Sequence, residues 1–187
     1  MARHDYHFRT HWTVPAPVEA VATLLNDPAD LPRWWPDVYL AVDRLAPAGP
    51  DGTGSRWRLF TKGWLPYRLR WNFTVTESRF PYGFSLEAEG DFVGRGVWRL
   101  WEDPARSLTH VEYDWTVRAE KPLLRHLSWL LKPLFEANHR WAMARGEESL
   151  RRELAGQATR RGPGLNSAAS RLNGPAPCAA TNSQRKQ

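Results

Sequence analysis

The chain has 187 residues, 42% of them hydrophobic and 25% charged, the proportions of a globular domain long enough to bury a sizeable core. Its net charge of +6 is unevenly placed: residues 155–187 hold Arg160, Arg161, Arg171, Arg185 and Lys186 with no acidic residue, which leaves 21 basic against 20 acidic side chains in residues 1–154. The near-neutral folded part excludes a basic nucleic-acid-binding domain, which would cluster its charge on one folded face.

Cysteine and apolar runs set further bounds. The single Cys178 excludes an internal disulfide and any cysteine-based metal site. No stretch of ~20 apolar residues exists to span a bilayer. Met1-Ala2-Arg3-His4-Asp5 has no apolar run of the signal-peptide kind, so a cytoplasmic location is the expectation. Tryptophan is abundant, at eleven residues, and such rings serve both cores and concave apolar sites.

Residues 6–14 alternate Tyr6, Phe8, Thr10, Trp12 and Val14 against His7, Arg9, His11 and Thr13, which predicts a first strand. Pro15 and Pro17 stop it and suit a helix start. Val18, Val21, Leu24 and Leu25 then recur at helical spacing until Asn26-Asp27-Pro28, and residues 28–36 predict a second short helical turn closing in Trp34-Trp35-Pro36. From there the period is two. Strands are predicted at 38–46, 55–62, 67–79, 83–89, 93–102 and 108–118, separated by short breaks containing Pro, Gly or Asp. Such short connections imply antiparallel hairpins.

Helical periodicity returns at Pro122. Pro133 lacks an amide donor and restricts Lys132, so the pattern predicts a short helix to about Leu131 and a main helix from Pro133 to Leu154. Residues 1–154 form the predicted domain. Residues 155–187, rich in Ser, Gly, Pro and Ala without periodicity, predict a disordered basic tail.

On the main helix Phe135, His139, Ala142, Met143, Gly146 and Leu150 share one face and should meet the sheet. His139 fits two roles there. It is either a cavity imidazole that bonds a ligand oxygen or moves a proton, or a core histidine tied to a strand carbonyl or an acidic side chain. Gly146 costs helix stability of about 1 kcal/mol against Ala, in exchange for room for a ligand or for close packing. Asn138, nearer the stripe's edge, either caps the cavity mouth or meets water.

Several segments resemble one family. Val14-Pro15-Ala16-Pro17-Val18-Glu19-Ala20-Val21, followed by Asp27-Pro28 and Trp34-Trp35-Pro36-Asp37-Val38, resembles the opening of polyketide cyclase/dehydrase and lipid-transport proteins of the START and birch-pollen-allergen-like (SRPBCC) superfamily. Gly96-Val97-Trp98-Arg99-Leu100 with Thr109-His110-Val111 resembles their penultimate hairpin. Asn138-His139-Arg140-Trp141-Ala142-Met143 with Gly146 resembles their closing helix. The resemblance spans roughly residues 5–154. It implies an α+β helix-grip fold, with a seven-stranded antiparallel curved sheet wrapped around a long C-terminal helix and two short helices after the first strand. It carries over no catalytic residue.

In such a fold Trp57, Trp71, Phe73, Trp98, Tyr113 and Trp115 would point to the concave side, either walling a cavity for a planar ligand or filling it. With Phe135, His139, Met143 and Gly146 they form the candidate ligand-binding set. His139 and Tyr113 are the candidates for acid–base chemistry. Glu112, Asp114, Thr116 and Arg118 alternate with the inward set and should face solvent, as should Arg68, Arg70 and Asn72. His4, His7 and His11 lack an acidic or cysteine partner at metal spacing, so neither metal nor cofactor is implied. Lys121 to Phe135 reads as an amphipathic segment that either packs over the sheet edge or touches a membrane, and Trp64-Leu65 falls at a predicted hairpin tip.

The expected function is binding of a hydrophobic, aromatic or polyketide-like small molecule, with cyclase or dehydratase activity compatible. The alternative is a non-catalytic lipid or quinone carrier that touches membranes. A third reading is a cavity-filled domain serving protein–protein interaction.

Overall fold

The computed structural model describes residues 5–119 and 122–161. Seven strands form one antiparallel sheet: β1 (Asp5–Val14), β2 (Tyr39–Ala46), β3 (Arg56–Lys62), β4 (Arg68–Ser78), β5 (Gly83–Gly90), β6 (Phe92–Asp103) and β7 (Leu108–Ala119). Their order across the sheet is β1-β7-β6-β5-β4-β3-β2. Strands β2 to β7 are thus a meander of hairpins, and β1 closes the far edge against β7. Between β1 and β2 the chain crosses the sheet through α1 (Val18–Leu25), a 3-10 turn at Pro28–Asp30 and α2 (Leu31–Trp34). The long helix α3 (Pro122–Arg161) lies against β1, α1 and α2. This is the helix-grip arrangement, and every predicted strand is present to within a residue or two at each end.

Helix α3 corrects the expected break. It is continuous through Pro133 and extends seven residues past Leu154. Pro133 is exposed, and its fixed φ is itself helical, so one missing donor does not end the helix. Residues 162–187, with Cys178 and most of the predicted tail, lie outside the described residues, as do His4 and the side chains from Leu123 to Lys132. At 40 residues α3 is roughly 60 Å long and outruns the strands it crosses.

The alternation in each strand decides which face meets α3. Tyr6, Trp12, Val14, Trp57, Leu59, Phe73, Trp98, Leu100, Val111, Tyr113, Trp115 and Val117 are buried on the concave side. The convex side carries paired charge: Asp114 holds His7 at 3.0 Å and Arg9 at 3.4 Å, and Glu112 holds Arg99 at 2.9 Å. Arg68 and Arg70 lie over the ring of Phe60 on the same side. Glu112, Asp114, Arg68 and Arg70 therefore solvate the outer face.

One end of the molecule is deeply buried. Val14, Val18, Val21, Ala22, Val111 and Leu150 are completely or almost completely buried where α1, β1 and the C-terminal half of α3 meet. Polar contacts lock that end: Thr13 donates its amide to Glu147 at 3.1 Å, Arg151 bonds the Thr13 carbonyl, and Arg33 joins Asp30 to Glu153. Glu102 of β6 accepts the Val18 amide, an acid at the start of α1 where unpaired donors gather.

Candidate functional site

Toward the other end, sheet and helix do not fill the space between them. A smaller lobe of about 130 Å³ lies under Phe135, His139 and Met143 of α3, walled by Tyr6 and Phe8 of β1, Tyr67 and Trp71 at β4, and Trp115 of β7. A larger lobe of about 370 Å³ is walled by Trp57, Leu59, Phe73, Phe84, Leu86 and Trp98 and opens toward the β2–β3 and β4–β5 connections. Trp35, Tyr39, Trp71, Tyr113 and Met143 line both lobes and form the waist between them.

His139 lies in the wall of the smaller lobe. Its ring stacks on Phe8 at 4.0 Å between centroids and 21° between planes. Its Nε2 is buried and has no hydrogen-bond partner. Neither a strand carbonyl nor an acidic side chain takes that nitrogen. Burial, with the nearby Arg140 cation a lesser cause, holds its pKa down to about 4, so the imidazole is neutral at pH 7.

Tyr113 belongs to a row of parallel rings. Phe84 stacks on Trp98 at 6.0 Å, Trp98 on Tyr113 at 4.1 Å, and Tyr113 on Trp115 at 5.8 Å. Gly96, beside Tyr113, leaves room for that phenol: a Cβ there would stand 2.9 Å from its hydroxyl. Burial, with Tyr39 and Asp114 as lesser causes, raises the Tyr113 pKa well above the ordinary phenol value. Burial likewise raises Tyr39, and pushes Tyr67 up to about 12. All three phenols are protonated at neutral pH and able to donate.

Residues 6–155 match the family described as polyketide cyclase/dehydrase and lipid transport. The chain belongs to that family. No curated protein matches it. Solved structures share its fold. A protein of Thermus thermophilus aligns with TM-score 0.61 at 22% identity, covering 78% of this chain and 97% of that one. The Zhui aromatase/cyclase from Streptomyces sp. R1128 aligns with TM-score 0.61 at 17% identity, covering 84% and 96%. A START superfamily protein from Mycobacterium smegmatis aligns with TM-score 0.58 at 14% identity, covering 82% and 99%. At these identities the likeness is one of fold. Together with the family match it makes this polyketide cyclase/dehydrase and lipid-transport member a hydrophobic ligand-binding domain.

Of the sequence-derived set, Trp71, Tyr113, Trp115, Phe135, His139 and Met143 line the smaller lobe, and Trp57, Trp71, Phe73, Trp98, Tyr113 and Met143 the larger. Gly146 lines neither. A Cβ there would stand 2.2 Å from the Trp35 ring, so the glycine seats the indole that forms part of the waist. Asn138 ties α3 to the β3–β4 hairpin: its Oδ1 accepts the Trp64 and Leu65 amides at 2.9 and 3.3 Å, and its Nδ2 donates to Tyr67 at 3.4 Å.

Sequence reasoning missed Tyr6, Phe8, Trp35, Tyr39, Tyr67 and Arg44. Tyr6 and Phe8 were legible in principle, since they share the inward face of β1 with Trp12. Among the described residues no Asp or Glu lines either lobe, and no group of three or more His, Cys, Asp or Glu is placed to hold a metal. The cavity can therefore bury planar apolar surface and donate hydrogen bonds. It offers a neutral imidazole.

Proposed function

We propose that this family member binds a planar, aromatic or polyketide-like small molecule across the two lobes. The observation that carries this reading is the buried, unpartnered Nε2 of His139 in a wall rich in aromatic rings. An enclosed polar atom without a partner is unfavourable, by about 1–3 kcal/mol, and a ligand hydroxyl or carbonyl would relieve it. The stacked row from Phe84 to Trp115 offers flat surface at ring spacing to a flat ligand. A volume of about 370 Å³ in the larger lobe falls in the range of small-molecule sites.

The Streptomyces neighbour is by name an aromatase/cyclase, which makes ring closure the reaction to test. In that chemistry the cavity would hold a flexible chain folded. A protonated Tyr113 would donate to the carbonyl under attack while the attacking carbon loses its proton to the free Nε2 of His139. Loss of the new hydroxyl with the imidazolium proton, and of a second carbon-bound proton to the tyrosinate, would release one water and restore both groups. The second reading, a lipid or quinone carrier, is favoured by Trp64, which is 46% exposed at the hairpin tip beside the smaller lobe.

Fluorescence titration with an anthraquinone tests the binding reading. Tryptophan quenching with a micromolar Kd, weakened at least fivefold by His139→Ala, is the expected result. No quenching at solubility-limited ligand would overturn it. Native mass spectrometry with solvent extraction then separates the two chemistries. A bound molecule returned with its mass unchanged from a vesicle donor marks the carrier, and a product lighter by one water marks dehydrative ring closure.

A further inference from the structure

The larger lobe contains one charged side chain among its described lining residues, Arg44. Arg44 is solvent-exposed, so it stands at the mouth of the lobe and not in its depth. Arg44 of β2 pairs in register with Trp57 of β3, and cross-strand partners project to the same face. Trp57 is 4% exposed and faces the cavity, so Arg44 projects to the concave side as well. Its guanidinium lies 4.7 Å from the centre of the Trp57 ring, and it makes no ion pair with any described carboxylate. By contrast Arg33, Arg99, Arg145 and Arg151 all meet acidic partners.

Two further polar groups of the lobe are donors, the indole N–H groups of Trp35 and Trp57, which are buried without acceptors. Asn26 spends its Nδ2 on the Ala22 carbonyl and keeps only its oxygen, an acceptor, so it adds nothing for an anion. Trp12 and Trp34 leave their indole N–H unpaired without lining either lobe, so the indoles only accompany the argument and Arg44 carries it. Aromatic and aliphatic walls beneath an exposed cation without an ion pair at the mouth of the larger lobe describe a site for a flat body with an acidic end.

We infer that the ligand carries an anionic oxygen group, of the carboxylate, sulfonate or phosphate kind, and that Arg44 reads it at the mouth of the larger lobe. The inference rests on the cavity being an aromatic small-molecule site. The competing account is that Arg44 is an inward-pointing charge on an edge strand, there to discourage strand pairing between molecules.

Two probes with one skeleton decide the matter: 8-anilinonaphthalene-1-sulfonate, which is anionic, and N-phenyl-1-naphthylamine, which lacks the sulfonate. Their affinities are measured by fluorescence for the intact protein, for Arg44→Gln, and for Arg58→Gln on the opposite face of the neighbouring strand. Arg44→Gln is expected to weaken the sulfonate about tenfold and the neutral probe less than twofold, with Arg58→Gln changing neither. Sulfonate affinity in the intact protein should also fall with added salt while the neutral probe's does not. Equal effects of Arg44→Gln on both probes, or no effect on either, overturn the inference and leave the edge-guard account. If the intact protein binds neither probe, the cavity reading fails first, before Arg44 is at issue.

Discussion

His139 is neutral because it is buried, and that makes it a sensor of acid. In the unfolded chain its imidazole titrates near 6.5 and in the folded one near 4, so between those values the unfolded state holds the extra proton. Its contribution to stability is intact above about pH 6.5 and is lost as pH falls toward 4. Lowering pH from 7.5 to 5 should remove roughly 2 kcal/mol through this residue. Urea denaturation of the intact protein and of His139→Gln at both pH values measures it: the difference between the two slopes is the imidazole's share. Gly146 makes a second residue-scale prediction. Trp35 is wedged among Trp12, Trp34 and Tyr39 at centroid distances of 5.7, 5.5 and 5.1 Å and cannot easily yield to a methyl group. Gly146→Ala should therefore destabilise the fold by about 1–3 kcal/mol despite its better helix propensity, which equilibrium unfolding would register.

At the scale of elements, α3 serves two unlike purposes along one axis. Its C-terminal half buries Leu150 and Leu154 and is latched to β1 and α2 by Glu147, Arg151 and Glu153. Its middle roofs a cavity, where His139 stacks on Phe8 of β1 and Asn138 hydrogen-bonds the β3–β4 hairpin. Asn138→Ala should release that hairpin at a cost of about 1 kcal/mol per amide bond lost, leaving the packed end unchanged. Amide hydrogen exchange is the direct measurement: protection at Trp64 and Leu65 should fall while that of the β1–β7 pairs is retained.

For the whole molecule, a cavity beside a rigid end means that ligand and fold are linked. A ligand that binds only the folded state at a hundredfold excess over its Kd adds about 2.7 kcal/mol, which for a domain of this size raises the melting temperature by roughly 5–10 °C. A thermal scan with the neutral naphthylamine would show that shift, and a flat response would mean that the aromatic rings close the space in solution. Much of this architecture was legible beforehand. Period-two alternation and short Gly- and Pro-containing breaks determine seven antiparallel strands and their inward rings, because side-chain direction along a strand depends on local geometry alone. The stripe from Phe135 to Leu150 likewise places His139 against the sheet. The continuity of α3 through Pro133 was not legible, since one lost donor can end a helix or be absorbed by an exposed turn. Nor was the sidedness of Arg44: β2 is irregular between Tyr39 and Ala41 and again between Arg44 and Ala46, so alternation alone loses count, and only pairing with Trp57 shows the face. Gly146 was legible as a gap in a stripe but not as the seat of Trp35, which lies over a hundred residues earlier in the chain. Local periodicity determined the elements and their faces. Contacts between distant segments decided what fills the space between them, because such contacts leave no period in the sequence.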